Sequence, residues 1–384
     1  MSEKVVVVVG GGVVGLSAAL AMHQRGYSVA LLDAGSLQVD VSTVSPRVYA
    51  INPASRRLFQ QLGVWGGLDA ARLSPYQHMH VWDAATHAHI DFDSRMIAAS
   101  QLGTIIDEAS LRHALLHAIA KTDVAMFPES MVVSIKESPE AIEVCTSQRS
   151  WTAALLMIAD GASSSTRELL HVPITQWSYH QHALVATVQT QEPHQQTAYQ
   201  VFNAEGTLAF LPLADPHQCS IVWSSRPRLT QHRLKLADEA FNQQLTSAFE
   251  HKLGQVTVIS TRHSFPLQMR HVKQYAGSRW ILMGDAAHTI HPLAGLGLNV
   301  GLADLTDWLA LLSDKKHGLC AKKTLGAYQR QRKFAVWQAI ALMEGLKTLF
   351  LSPLTPIATL RGLGLNLCNR LTPLKRLFIE HAAG

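Results

Sequence analysis

Apolar residues follow two different periods along the chain, and the change from one to the other divides it. Val5–Val9 is a run of five β-branched residues, short enough for a strand buried on both faces. Helical spacing follows at Leu16, Leu20 and Ala21, and a second apolar run, residues 28–32, completes a strand–helix–strand unit. A helix is predicted from about Pro53, with Leu58, Leu62 and Val64 apolar and Gly63 as its stop. Another is predicted over residues 110–120, with Leu111, Leu115 and Ile119 on one face. Short strands are predicted at residues 81–82, 90–92, 105–106, 125–127, 132–136, 142–146 and 154–159. From about residue 175 to 271 the period becomes two. Strands at 183–190, 199–203, 207–213 and 219–225, separated by Pro, Gly, Asp and Asn, read as an antiparallel sheet. Residues 280–283 return to a buried strand and 301–312 to a helix.

The predicted architecture is α/β. Residues 1–75, 95–175 and 272–333 form a discontinuous Rossmann-type domain, residues 76–94 and 176–271 an inserted sheet domain that receives substrate, and residues 334–384 a C-terminal helical segment. A length of 384 residues with 47% hydrophobic and 16% charged content suits a large buried core. Cys145, Cys219, Cys320 and Cys368 lie far apart with no C-x-x-C pair, which predicts reduced thiols in a reducing compartment and no structural metal. Lys4 before an apolar run looks like the start of a signal peptide, but three glycines inside that run and Asp33 beyond the second strand argue against cleavage. No stretch of about 20 uncharged apolar residues is present, so no membrane-spanning helix is expected. The net charge of +5 is concentrated at one end: residues 315–384 carry twelve Lys and Arg against Glu344 and Glu380, which leaves the preceding residues at −5. That distribution does not suit a nucleic-acid groove.

Three stretches carry chemistry. Gly10, Gly12 and Gly15 give G-x-G-x-x-G between the first strand and its helix, and Asp33 ends the second strand. The first glycine permits the tight turn, the second lets a pyrophosphate approach bare backbone, and the third lets helix and strand pack closely. Asp33 stands where a carboxylate takes ribose hydroxyls. The second stretch, ADGASSSTR, puts Asp160 and Gly161 in a sharp turn, with Ser164 as a helix cap and Arg167 able to orient the turn or meet a phosphate. Alone, such a D-G pair is an ordinary turn. The third, residues 282–304, places Asp285 after a strand and opens a helix from a loop holding Pro292, Gly295 and Gly297. Backbone N–H groups there can face an electron-rich ring oxygen, and Asp285 can accept from a hydroxyl chain. His288 and His291 lack a third ligand, so no metal site is predicted.

These motifs, in this order, resemble the class A flavoprotein monooxygenases, the para-hydroxybenzoate hydroxylase-like family. More narrowly, RVYAINPASRRLFQQLGVW, HMHVWD, FLPLADPHQCSIVW, GDAAHTIHPLAG and the tail LTPLKRLFIEHAAG are similar to the ubiquinone-biosynthesis hydroxylases, most of all the branch that hydroxylates 2-polyprenylphenol. The resemblance runs over essentially the whole chain. It implies that Gly10, Gly12 and Gly15 hold the FAD pyrophosphate and Asp33 the adenosine ribose. It implies that Arg47 and Arg112 face the cofactor, that Asp160 and Gly161 serve both FAD and NAD(P)H, and that Asp285 holds the ribityl and pyrophosphate region. Pro292, Gly295, Gly297 and Asn299 correspond to the loop beside the flavin ring. One departure is Leu296, where the family usually has Gln between the two glycines.

The implied reaction is aromatic hydroxylation of a polyprenylphenol through a flavin hydroperoxide, with NAD(P)H and O2 as co-substrates. No second dinucleotide fingerprint is present, so NAD(P)H is expected to dock transiently. No catalytic acid or base is assigned; Tyr179, His182, His288 and His291 are conceivable partners of the phenol. The alternatives are an FAD oxidase or prenyl reductase on the same scaffold, or a non-catalytic flavin-bound subunit of a quinone-biosynthesis complex. The resemblance implies other quinone-biosynthesis proteins as partners. In the tail, Leu374, Leu377 and Phe378 recur beside Lys375 and Arg376, the pattern of a basic amphipathic helix at an anionic surface. A cytoplasmic enzyme, peripheral at the inner face of the membrane, is therefore expected.

Overall fold

Val6 to Val9 are buried because the valine run takes the centre of a parallel sheet. In the computed structural model, which describes residues 5–41, 47–290, 297–313, 318–351, 369 and 371–383, Val5–Val9 pairs with Leu155–Ile158 on one side and Ser28–Leu32 on the other. Trp280–Leu282 and Ala125–Phe127 complete the five strands at the two edges. Helix Val13–Gln24 is buried along Val13 to Met22, since helices Glu108–Ile119 and Gly297–Ser313 pack against it in addition to the sheet. It therefore needs no polar face.

The larger sheet runs through His288–Thr289, His263–Val272, Ile174–Thr190, Gln218–Ser225, Gly206–Pro212, Thr197–Asn203, His78–Asp83 and His89–Asp93, with Val256–Val258 alongside Ile174–Thr190. It is mixed: Thr197–Asn203 pairs parallel with His78–Asp83, and its other pairs are antiparallel. Ile174–Thr190 begins well before the predicted residue 183. A bulge between Ser178 and Gln181, with His180 at φ 52°, breaks the two-residue period there and hides the first half of the strand. The sheet expectation also passed over helices Pro227–Lys235 and Asp238–Ala248 and strand His263–Val272. Phe241, Leu245 and Phe249, at helical spacing, are the signal that marks the second helix, and all three are buried.

Alternation along this sheet separates two faces. Leu184, Ala186, Val201, Leu208, Phe210, Ile221 and Trp223 point into a second core, closed by Phe241, Leu245 and Phe249. The intervening residues, among them Ala198, Gln200, Thr207, Ala209, Ser220 and Ser224, face a cavity. Their small side chains leave room there instead of filling a core.

At the C-terminus, helix Lys322–Leu351 covers the junction of the two sheets, with Val336 and Ile340 in the main core and Met343 on Val81, Ile90 and Phe202. Helix Thr372–Ala383 follows, and residues 352–368 lie outside the described residues. The amphipathic expectation for this last helix needs correction. Lys375 is only 6% exposed and donates to Asn369 Oδ1 at 3.2 Å, while Arg376 Nε donates to the Met96 carbonyl at 2.9 Å. Lys375 is thus withdrawn from the surface, while Arg376 stays exposed but is held by a backbone carbonyl. Among the described residues no helix is long and apolar enough to cross a membrane. Cys145, Cys219 and Cys320 are free thiols, and Cys368 lies outside the described residues.

Candidate cofactor and substrate site

The three glycines of the first turn have distinct environments. A Cβ on Gly10, at φ +117°, would stand 2.2 Å from the Ala159 carbonyl oxygen, and one on Gly15 would stand 1.9 Å from the Gly10 carbonyl oxygen. Both positions permit close packing of turn, helix and neighbouring strand. Gly12, in contrast, faces space with no atom within 4 Å and lines the cavity. Asp33 fastens this turn: its Oδ2 accepts from the Gly11 N–H, and its Oδ1 accepts from Gly35 N–H at 2.8 Å. Arg112 Nε donates to the Gly11 carbonyl at 3.1 Å, placing a cation at the same loop.

The D-G turn lies at the end of the adjacent strand. Asp160 Oδ2 accepts from Thr166 N–H at 3.2 Å, and its Oδ1 is buried without a partner. Gly161 adopts φ +88° and also faces open space. Arg167 is buried and its Nη1 donates to the Ala286 carbonyl at 3.0 Å as well as to Ala162, so it ties this turn to the one carrying Asp285. It orients the turn through these two carbonyls. Arg270 Nη1 adds a bond to the Ala162 carbonyl at 2.9 Å.

These turns open into one cavity of about 920 Å³ that continues to the far wall of the large sheet. Gly12, Arg47, Gly161, Asp285, Gly297 and Asn299 line it, whereas Gly10, Gly15, Asp33, Arg112 and Asp160 form the support behind. Pro292, Gly295, Leu296 and His291 lie outside the described residues. Arg47 Nε stands 3.4 Å from Glu108, and its Cζ lies over the Tyr49 ring, 5.4 Å from the centroid. Burial pushes the Asp285 carboxyl above its usual range, against the pull of His288 and Arg47. Asn299 is a pin as much as a lining residue. Its Nδ2 donates to the Ala50 carbonyl at 2.7 Å and its Oδ1 accepts from Asn52 N–H at 3.1 Å, which joins helix Gly297–Ser313 to strand Val48–Ile51.

Three glycine edges open to the cavity, an unpartnered buried carboxylate oxygen, a basic side chain at the loop and a helix N-terminus suit a phosphate-linked dinucleotide with a flat ring. The residues present therefore fit FAD. The conceivable phenol partners fare differently, since Tyr179, His182 and His288 are absent from the cavity wall and His291 lies outside the described residues. Tyr76, Tyr199, Gln200 and His263 line it instead. Among the described residues no group of His, Cys, Asp and Glu could hold a metal ion.

Sequence reasoning missed the buried network behind this wall. Asp304, fully buried, accepts from Gly284 N–H at 2.8 Å, His288 Nε2 at 2.7 Å and Arg332 Nε at 2.5 Å. Arg332 also donates to Asp307 at 2.7 Å and to the Val300 carbonyl at 3.1 Å. Through Gly284 this network positions the turn that presents Asp285. An acid within a largely apolar helix, residues 297–313, is the signal that marks it. Beside it, His271 is 1% exposed and packs at a tilt against Trp337, with ring centroids 4.9 Å apart. Burial, with His288 and Lys333 adding to it, pushes its imidazole down from 6.5 to about 4. The unfolded chain then binds a proton that the folded one refuses, so stability should fall as pH drops from about 6.5 to 4, by about 3 kcal/mol for this group. Urea midpoints across that range should show the slope, and His271→Leu should shed this part of it.

A glycine turn at the end of a parallel sheet, opening on a cavity walled by a second sheet, is the architecture of a dinucleotide-binding protein. Residues 3–342 match the FAD binding domain family, and the chain belongs to that family, among its ubiquinone-biosynthesis hydroxylases. It is 31% identical to 3-demethoxyubiquinol 3-hydroxylase of Escherichia coli K12, over 99% of this chain and 98% of that protein. It is 30% identical to ubiquinone hydroxylase UbiL of Rhodospirillum rubrum, over 99% and 89% respectively. It is 31% identical to ubiquinone biosynthesis monooxygenase COQ6 of Xenopus tropicalis, over 98% and 93%. The fold is similar to p-nitrophenol 4-monooxygenase PnpA of Pseudomonas putida DLL-E4, with a TM-score of 0.79 at 18% identity, covering 100% of this chain and 98% of that one.

Proposed function

We propose that this protein is an FAD-dependent monooxygenase that uses NAD(P)H and O2 to hydroxylate the ring of a polyprenylated phenol in ubiquinone biosynthesis. The supporting observation is the continuous cavity, which runs from the glycine turn and Asp285 to a wall of Met79, Phe92, Leu211 and Val222. Family membership and the names of the curated relatives point the same way. When bound, FAD supplies the redox and oxygen chemistry.

The chain's own residues bind, orient and exclude water. In this reading the turn that Gly10 and Gly15 allow to close presents Gly12 to the pyrophosphate, with Asp33, which fastens that turn, on the side of the adenosine ribose. Arg47, Arg112, Asp160, Gly161 and Asp285 would surround the remaining polar groups, and Gly297 and Asn299 would hold the flavin ring. The start of helix Gly297–Ser313, which lines the cavity, would offer N–H groups to electron density on that ring. The Tyr76 hydroxyl, pushed up to about 12 by burial, stays protonated at neutral pH and can donate to a phenol oxygen. Mass spectrometry of quinone intermediates tests the assignment: cells lacking this protein should accumulate a prenylated phenol one hydroxyl short. An unchanged quinone profile would remove it, and purified yellow protein that NAD(P)H never reduces would favour the flavin-bound scaffold.

The same reading places the enzyme at a membrane surface. Its support is helix Lys322–Leu351, on which Lys323, Arg330, Phe334 and Trp337 are exposed and share one helical side. Co-sedimentation with vesicles containing anionic lipid should weaken with added salt and in Phe334→Ser/Trp337→Ser. Binding indifferent to lipid charge and to both substitutions would contradict a membrane role for this face.

A further inference from the structure

We infer that the C-terminal helix Thr372–Ala383 completes the substrate cavity, and that Phe378 at its mouth selects for an apolar substituent on the phenol ring; this rests on the functional reading above. The helix is docked by specific polar contacts. Arg376 Nε holds the Met96 carbonyl at 2.9 Å, and Asn369 Oδ1 accepts both from Lys375 Nζ at 3.2 Å and from Asp91 N–H at 3.1 Å. Asp91 lies in strand His89–Asp93, whose next residue, Phe92, pairs with Met79 and lines the cavity with it. The contacts that anchor the helix thus sit beside the cavity wall, and Phe378 and Ile379 join that wall.

The two residues differ in exposure. Ile379 is 6% exposed, whereas Phe378 lines the cavity and is still 41% exposed. Phe265, on strand His263–Val272, shows the same combination at 43% exposure. Two rings that belong to the cavity yet meet solvent mark its rim. An apolar chain leaving the ring and passing between them would cover surface that is otherwise wet, and a phenol without a chain would not. A polar or charged substituent would have to be desolvated there without a partner.

The test uses purified holoenzyme with two probes, phenol itself and a phenol carrying a short prenyl chain. FAD per chain, KM and kcat for each probe, and hydroxylated product per NAD(P)H consumed are measured. Phe378→Ala should shift the KM ratio between the two probes about tenfold against the prenylated one, equivalent to about 1.4 kcal/mol. Most of the change should lie in KM, and Phe378→Leu should restore most of the ratio. If Phe378→Ala purifies with less FAD than the wild type, the Leu and Trp replacements carry the comparison, with Trp moving the ratio through the narrowed rim. A KM ratio unmoved in every variant that retains FAD would overturn the inference while leaving the hydroxylase reading intact. Wild-type enzyme that hydroxylates neither probe would overturn both.

Discussion

Gly12→Val should fold normally and emerge from purification without FAD. Gly12 has φ −78° and ψ 174°, an extended conformation that valine adopts readily, and its Cβ would meet no protein atom within 4 Å. The added methyl groups would project only into the cavity, at the point where the pyrophosphate has to touch backbone N–H groups. Losing those contacts should cost about 3 kcal/mol or more, a weakening on the order of a hundredfold. Gly15→Ala is the informative contrast. Its Cβ would lie 1.9 Å from the Gly10 carbonyl oxygen, so the turn itself must move and stability should drop together with flavin content. Flavin absorbance per chain and urea unfolding, measured on both variants, separate the two cases; full FAD occupancy in Gly12→Val would show that the cofactor lies elsewhere.

Asp304→Ala should destabilise the fold by about 3 kcal/mol and loosen FAD with it. The substitution leaves the His288 ring and the Gly284 N–H without their acceptor and strips Arg332 of one of two carboxylates, all within the core. Burial works against the charge on Asp304, but His288 and Arg332 outweigh it and hold the carboxyl below its usual range. The ionised form therefore contributes stability above about pH 4, and that contribution is lost as pH falls through the lower folded value. The damage of Asp304→Ala should accordingly shrink in strong acid, where the wild type has also lost the charge. Asp304→Asn keeps an acceptor for Gly284 N–H and should retain more FAD than Asp304→Ala at equal denaturant. An Asp304→Ala protein with wild-type urea midpoint and flavin content would remove the network from the account of the site.

What was readable in the sequence was local. The valine run and its three glycines act within one strand–helix–strand unit, and residues 125–127 and 142–146 are strands with the predicted bounds. Asp160, Gly161 and Asp285 were legible because each follows directly on a buried apolar run, at the end of a parallel strand. The Asp304 network was not, because its members come from residues 284, 288, 304, 307 and 332 and meet only when two helices and a turn are packed together. Strand Ile174–Thr190 was half hidden by its bulge, and helix Pro227–Lys235 by a polar composition that keeps only Thr230 and Arg233 buried. Lys375 and Arg376 show the same limit in another form. Spacing placed them on a basic face, but Lys375 turns to the amide of Asn369, six residues back, and Arg376 to the Met96 carbonyl, far away in sequence.

In the proposed reaction this cavity couples NAD(P)H oxidation to insertion of one oxygen atom into a prenylated phenol. Purified FAD-loaded protein incubated with NAD(P)H, isotope-labelled O2 and a prenylated phenol tests it most directly, with the product read by mass spectrometry. The product should be a phenol carrying one additional labelled oxygen on its ring, and NAD(P)H consumption should rise when the phenol is added. Product that carries no label, or NAD(P)H oxidation yielding only hydrogen peroxide at the same rate with and without the phenol, would contradict it.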